Sequence, residues 1–190
     1  MADGIVLDAS IVINVLGCGA AASVLQAIPG MCLVPDVTSR EIFRDPLAPG
    51  GGANPLDPLV AAGLIERVGL TPATMETFIE LVGAAPPNDL GDGEAAAIAL
   101  ARERGLPIAL DDTKARRIVR ERFHGLPLRS SVDLFALPSV AVALGDALAD
   151  AVFSALIHAR MRVLPENDAW VRLLLGERAE LCPSLKKRKR

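Results

Sequence analysis

Apolar and polar positions along the chain fall into two alternating rhythms. Short apolar runs with β-branched residues, bounded by turn residues, occur at Ile5-Val6-Leu7, Met31-Cys32-Leu33-Val34, Leu64 to Val68 and Leu106 to Leu110. They are too brief for helices and predict strands, the third near a sheet edge. Between them the spacing predicts helices at Ile11–Leu16 and Ala20–Ile28, split at Gly17-Cys18-Gly19, and at Asp36–Arg44 and Pro72–Val82. Further helices open at Gly91 and at Thr113, and Leu126 to Arg129 reads as a short fifth strand. Beyond it the pattern is helical: Val132–Leu137, Ala141–Arg162 with a break near Gly145-Asp146, and Asp168–Leu175. Strands alternating with helices imply right-handed crossovers and a parallel sheet.

The segments between these elements add little that argues for a second core. Pro46 to Pro58 holds four prolines and three successive glycines and predicts a mobile loop, with the core pattern resuming at once. The expected division is an α/β unit over residues 1–137, a helical extension over 138–180 packed on it, and a basic, disordered tail over 181–190. Gly17 and Gly19 follow a helix, not a strand, and lack a third partner, so a dinucleotide fingerprint is excluded.

Charge and composition narrow the function classes. The net charge is −3, and removing the five basic residues Lys186 to Arg190 leaves −8, which argues against broad electrostatic binding of duplex nucleic acid. Six aromatics, none of them Tyr, leave few rings for stacking on bases. Cys18, Cys32 and Cys182 have no paired spacing and read as reduced and packed. No apolar run is judged long enough to span a membrane, and Asp3 stands where a signal peptide would be basic, so a cytoplasmic protein is expected.

The chemistry lies in the acids. Asp8 closes the first strand, and Asp111 and Asp112 close the fourth. Glu41 is expected about one turn inside the helix after the second strand, and Asp92 and Glu94 lie in the first turn of an Ala-rich helix. Each has an ordinary reading: Asp8 and Asp92 as caps, Glu41 as a solvated helical residue. Glu94, on a nearly all-apolar helix, needs a partner. A parallel sheet would bring these ends to one edge, where ligands gather. Two carboxylates ~4 Å apart repel by about 4 kcal/mol at an effective dielectric of about 20. A cluster therefore calls for protonation or a cation, and oxygen donors without His or Cys favour Mg²⁺ or Mn²⁺ over zinc. His124 and His158 are isolated and read as structural or surface residues.

The order of four segments resembles the PIN-domain ribonucleases: I-V-L-D-A-S-I-V-I-N from Ile5, V-T-S-R-E-I from Val37, L-G-D-G-E-A-A-A-I-A-L-A from Leu90, and I-A-L-D-D-T-K-A-R from Ile108. The similarity covers roughly residues 4 to 130. It is nearest to the prokaryotic, VapC-like branch whose third segment reads G-E-A-x-A-I-A-L-A. The resemblance implies a three-layer α/β/α sandwich with a central parallel sheet, a helical C-terminal extension, and an acidic pocket for Mg²⁺ or Mn²⁺. It also implies cleavage of RNA phosphodiesters, a toxin role beside a cognate antitoxin protein, and a homodimer. By that match Asp8, Glu41, Glu94 and Asp111 are the four acids and Ser10 the hydroxyl residue beside the first. Asp92 competes with Glu94, and Asp112 with Asp111.

Three other readings compete with this one. A haloacid-dehalogenase phosphatase needs a second Asp two residues after the first, where Ser10 stands. A receiver module needs its acceptor Asp after a middle strand, whereas the acidic pair here closes the last clear one. A PIN-like module that binds nucleic acid or protein without turnover is the third, and an assay of Asp8 and Asp111 variants separates it from a nuclease.

Overall fold

The computed structural model describes residues 3–48, 50 and 53–185. The basic tail Lys186–Arg190 lies outside them, as do Pro49, Gly51 and Gly52 of the Pro/Gly-rich loop.

Five parallel strands form one sheet: β1 (Gly4–Leu7), β2 (Met31–Pro35), β3 (Ile65–Val68), β4 (Ile108–Ala109) and β5 (Leu128–Arg129). Their order across the sheet is β3-β2-β1-β4-β5. The chain winds outward one way from β1 through β2 to β3, then returns to the other side of β1 for β4 and β5. The gap between the ends of β1 and β4 is therefore the topological switch point of the sheet, where ligands of open α/β sheets bind.

Alternation along the strands divides the core. Ile5 and Leu7 of β1 and Cys32 and Val34 of β2 face one apolar cluster, while Val6 and Leu33 face the other. Helices α1 (Ala9–Gly17) and α2 (Ala21–Ala27) cover the first face. After β2 come the short helices α3 (Asp36–Ser39) and α4 (Asp57–Ala61). Helices α5 (Pro72–Val82), α6 (Asp92–Arg104) and α7 (Thr113–Arg122) cover the second face. The result is a three-layer α/β/α sandwich. Full burial of Val6, Leu7 and Ile11 stabilises it by roughly 1.5–3 kcal/mol each.

The remaining helices, α8 (Ser131–Phe135), α9 (Pro138–Leu144), α10 (Leu148–His158) and α11 (Asp168–Leu175), return to the α1 face. Helix α10 runs against α1 so closely that a Cβ on Gly17 would lie 2.7 Å from the Ala159 Cβ. Ser154 Oγ also donates to the Gly17 carbonyl at 2.7 Å. This contact carries the chain just after α10 alongside α1 and toward the sheet edge.

Several expectations are corrected. The helix expected over Asp36–Arg44 stops at Ser39, and Glu41 lies past its end. Thr38 Oγ1 donates to the Gly93 carbonyl and Ser39 Oγ to the Asp36 carbonyl, and the backbone continues only as tighter i→i+3 turns to Ile42. Helix α4 occupies the end of the segment expected to be a loop, with Pro58 in its first turn. The long C-terminal helix expected to end at Arg162 ends at His158. The 21-residue stretch Pro138–His158, with a mean hydropathy of 1.9 over its most apolar 18-residue window, does reach membrane-crossing length and composition, against expectation. Gly145 (φ 50°) breaks it, and Val140, Leu144, Val152 and Leu156 lie in the protein core.

Candidate active site

The two acids that close β1 and β4 sit on neighbouring strands at the switch point. Asp8 is 4 % exposed and Asp111 is 4 % exposed, and the Asp8 backbone N–H donates to the Ala109 carbonyl at 3.2 Å. Asp8 is also the N-cap of α1: its Oδ2 accepts from the Ser10 N–H at 3.2 Å and from Ser10 Oγ at 2.7 Å. Capping and site position thus coincide in one side chain. Asp111 is not an N-cap residue, but from another part of the chain it holds the first N–H of α8. Its Oδ1 accepts from the Ser131 N–H at 2.9 Å, and its Oδ2 accepts from Ser131 Oγ at 2.6 Å and Asn14 Nδ2 at 2.9 Å.

Asp8, Asn14, Glu94, Asp111 and Asp112 line one hollow of about 350 Å³. An adjoining hollow, also about 350 Å³, is lined by Asp8, Ser10, Glu41 and Glu94. Glu41 reaches it because Gly93, in the first turn of α6, has no side chain: a Cβ there would overlap the Glu41 carboxyl. Glu94 Oε2 accepts from the Gly91 N–H at 3.3 Å, as an acid in the third position of a helix can. Asp92 is exposed and lines neither hollow; the N-cap is Gly91, so the expected capping role of Asp92 is not seen. Asp112 spends its Oδ1 on the N–H groups of Lys114 and Ala115, at 2.8 and 2.9 Å, as the N-cap of α7.

Burial pushes the Asp8 carboxyl above the ordinary value of 3.8, partly offset by the Ser10 hydrogen bonds. Asp111 is raised for the same first reason, with Ser131 and Arg116 pulling it down and Asp8 pushing it up. Glu41 is exposed as a residue, yet its carboxyl end is desolvated against Gly93 and faces Asp8, and both raise it. Glu94 is raised by burial and then by Asp112. Four carboxyls that resist ionisation around one space mark a field that a cation would relieve.

The fold, the acids at the switch point and the family comparison agree. Residues 4–166 match the PIN domain. The chain belongs to the PIN-domain family. PIN domains are generally nucleases that bind nucleic acid and use divalent metals. No curated protein and no solved structure matches the chain. The family match runs past Leu137 into the helices beyond it.

The donors of this PIN domain suit a divalent ion by chemistry: all are oxygens, they are partly desolvated, and they repel one another in its absence. Among the described residues no three acid, thiol or imidazole groups already meet tightly enough to cage a metal. The acids surround the hollows with room between them, which suits an ion that keeps several waters, as Mg²⁺ does.

The sequence reading omitted several residues of this PIN domain's site. Asn14 bridges Asp111 and Ser131 Oγ, the latter at 2.8 Å. Its signal was available: Ser10 and Asn14 are the polar positions of an otherwise apolar helix and lie four apart, on one face. Ser131 carried no comparable signal. Arg116, on the otherwise strongly basic α7, is 4 % exposed and donates to the Leu110 and Arg129 carbonyls at 2.8 and 2.7 Å. It ties together the two chain segments that leave β4 and β5, directly beside Asp111. Arg160 and Arg162, just past α10, border the Asp8–Asp111 hollow.

Proposed function

We propose that this PIN domain is a metal-dependent endoribonuclease that hydrolyses RNA phosphodiester bonds with Mg²⁺ or Mn²⁺. The observation that carries this reading is the placement of Asp8 and Asp111 on adjacent strands, facing one acidic hollow at the switch point. In it Asp8 and Asp111 are the main ligands, with Glu41 and Glu94 at the sides and Asp112 within reach. An ion bound there supplies charge neutralisation on the phosphate and a more acidic water for in-line attack. The protein's own groups set the geometry. Ser10 orients Asp8, while Asn14 and Ser131 fix both oxygens of Asp111, so neither carboxylate need reorganise as substrate arrives. Asp92, exposed and outside both hollows, has no part in this proposal.

The same reading assigns the chain to the VapC-like branch, as a cytoplasmic toxin held by an antitoxin protein and acting as a homodimer. The support is the order and wording of the four acidic segments, with Glu94 in the G-E-A-A-A-I-A-L-A run.

The deciding experiment incubates purified protein with a defined single-stranded RNA in Mn²⁺, Mg²⁺ or EDTA. Cleavage by wild type in metal alone, lost in Asp8→Asn and Asp111→Asn, supports the assignment. Equal cleavage by those variants, or none by wild type in any metal, overturns it and leaves a non-catalytic module.

A further inference from the structure

Beside the acidic hollow lies a larger groove, of about 1020 Å³, lined by Thr113 at the start of α7 and by the apolar surfaces of Ile157, Val163 and Pro165. Arg160 and Arg162 line both spaces, so they stand where one opens into the other. Like Arg40, Arg44, Arg104 and Arg129 they have no ion pair among the described residues, but of these only they line the acidic hollow. Arg67, Arg117, Arg122, Arg172 and Arg178 each reach a carboxylate. Among the described residues neither Arg160 nor Arg162 makes an ion pair or a side-chain hydrogen bond, although the hollow they border is rich in acid.

The backbone holds Arg160 there at a cost. Its φ is 54°, in the left-handed region that favours glycine, and it is the only non-glycine with positive φ among the described residues. The turn is closed by the Met161 N–H donating to the Ala155 carbonyl at 3.2 Å, and a left-handed residue just past a helix end is most often glycine. The turn itself therefore does not explain an arginine.

We propose that Arg160 and Arg162 are a phosphate clamp for a single RNA strand, which runs from the acidic hollow into the groove of Thr113, Ile157, Val163 and Pro165. This rests on the nuclease reading above. A strand with one phosphate among the acids must carry its next phosphates past them, and unpaired guanidinium groups at the exit are what those phosphates need. The aliphatic walls receive a base without the aromatic stacking that this chain lacks. The clamp comes from the helices after the sheet, so those helices serve substrate binding as well as the core. A strand without apolar contact would need more cations than two; a duplex would keep its bases inside and leave the walls bare.

The test measures binding apart from cleavage. A fluorescein-labelled twelve-nucleotide single-stranded RNA is titrated by anisotropy, in Ca²⁺, against full-length wild type, Arg160→Gly, Arg162→Gln and the double variant. Arg160→Gly suits the left-handed backbone, so its Tm is expected at or above wild type, which separates lost charge from lost fold. The expected result for the double variant is roughly tenfold or greater weakening, with a salt slope shallower by about 1.4 for two phosphate contacts. In Mn²⁺ the same variant raises KM and leaves kcat close to wild type. Affinity and slope equal to wild type overturn the clamp while leaving the nuclease reading intact, and so does a duplex bound as tightly as the single strand. Should wild type bind RNA through these arginines and never cleave it, the nuclease reading fails and the clamp stands.

Discussion

Asn14 Nδ2 donates to Asp111 Oδ2 at 2.9 Å, joining residues 97 positions apart across the switch point of the sheet. The bond fixes a buried acid that also holds the first N–H of α8. It also supplies a donor to a carboxyl that Asp8 pushes toward protonation.

Turning that donor into an acid should show how finely the site is balanced. Asn14→Asp places a further carboxylate against a buried one, and is expected to destabilise the metal-free protein by about 1–3 kcal/mol at pH 7. The loss should shrink as pH falls and one of the pair takes up a proton. Urea unfolding at two pH values reads it; a pH-independent loss would point to packing and not to charge.

Asp8→Asn separates the two roles of Asp8. Asn caps a helix about as well as Asp, and the substitution removes a buried charge. The Tm of metal-free protein should hold steady or rise, while nuclease activity falls by about a hundredfold or more. A stability loss above ~1 kcal/mol with activity retained would make Asp8 a cap and nothing else.

Gly93→Ala should split stability from activity. Alanine favours a helix over glycine by up to about 1 kcal/mol, but its Cβ takes the place of the Glu41 carboxyl. Glu41 ends a flexible side chain and can swing out to solvent. Folding should therefore be unharmed or improved, with cleavage reduced about tenfold and metal affinity weakened. Calorimetric metal titration beside a melting curve checks both halves.

The four raised carboxyls set the pH dependence. Asp8, Asp111, Glu41 and Glu94 have folded values above the ordinary 3.8 and 4.5. The folded state then holds protons that the unfolded chain has released. Their stabilising contribution is complete below the ordinary carboxylate range and is lost as pH rises from there through the raised values. Melting curves in EDTA should show this contribution declining toward neutral pH. Adding Mg²⁺ or Mn²⁺ at pH 7 should restore it, by about 2.7 kcal/mol at a hundred times Kd. Below the ordinary carboxylate range the same addition should do little, because protons already occupy the oxygens.

Much of this was legible along the chain because it depends on local periodicity. Apolar runs of strand length ending in Asp8 and Asp111-Asp112 mark strand ends whatever the rest of the molecule does. Glu41 shows where that logic stops. Helix propensity and the four-residue spacing from Val37 placed it inside a helix, but Thr38 spends its hydroxyl on the Gly93 carbonyl and the helix gives way after one turn. Asp92 shows the converse: an acid in a first turn reads as a cap, yet Gly91 takes the cap position and Asp92 points to solvent.

The chain by itself determined the α/β alternation, the strand-end acids and the acid-rich, histidine-free donor set, since each follows from neighbouring residues. Only the tertiary structure decided that Asn14 and Ser131 grip Asp111, that Arg116 is buried beside it, and that Arg160 and Arg162 border the same hollow. The Asn14–Ser131 bond alone joins segments 117 positions apart. Such relationships arise when crossover connections and the returning helices bring distant backbone to one sheet edge, and no local rhythm of apolar and polar residues carries that information.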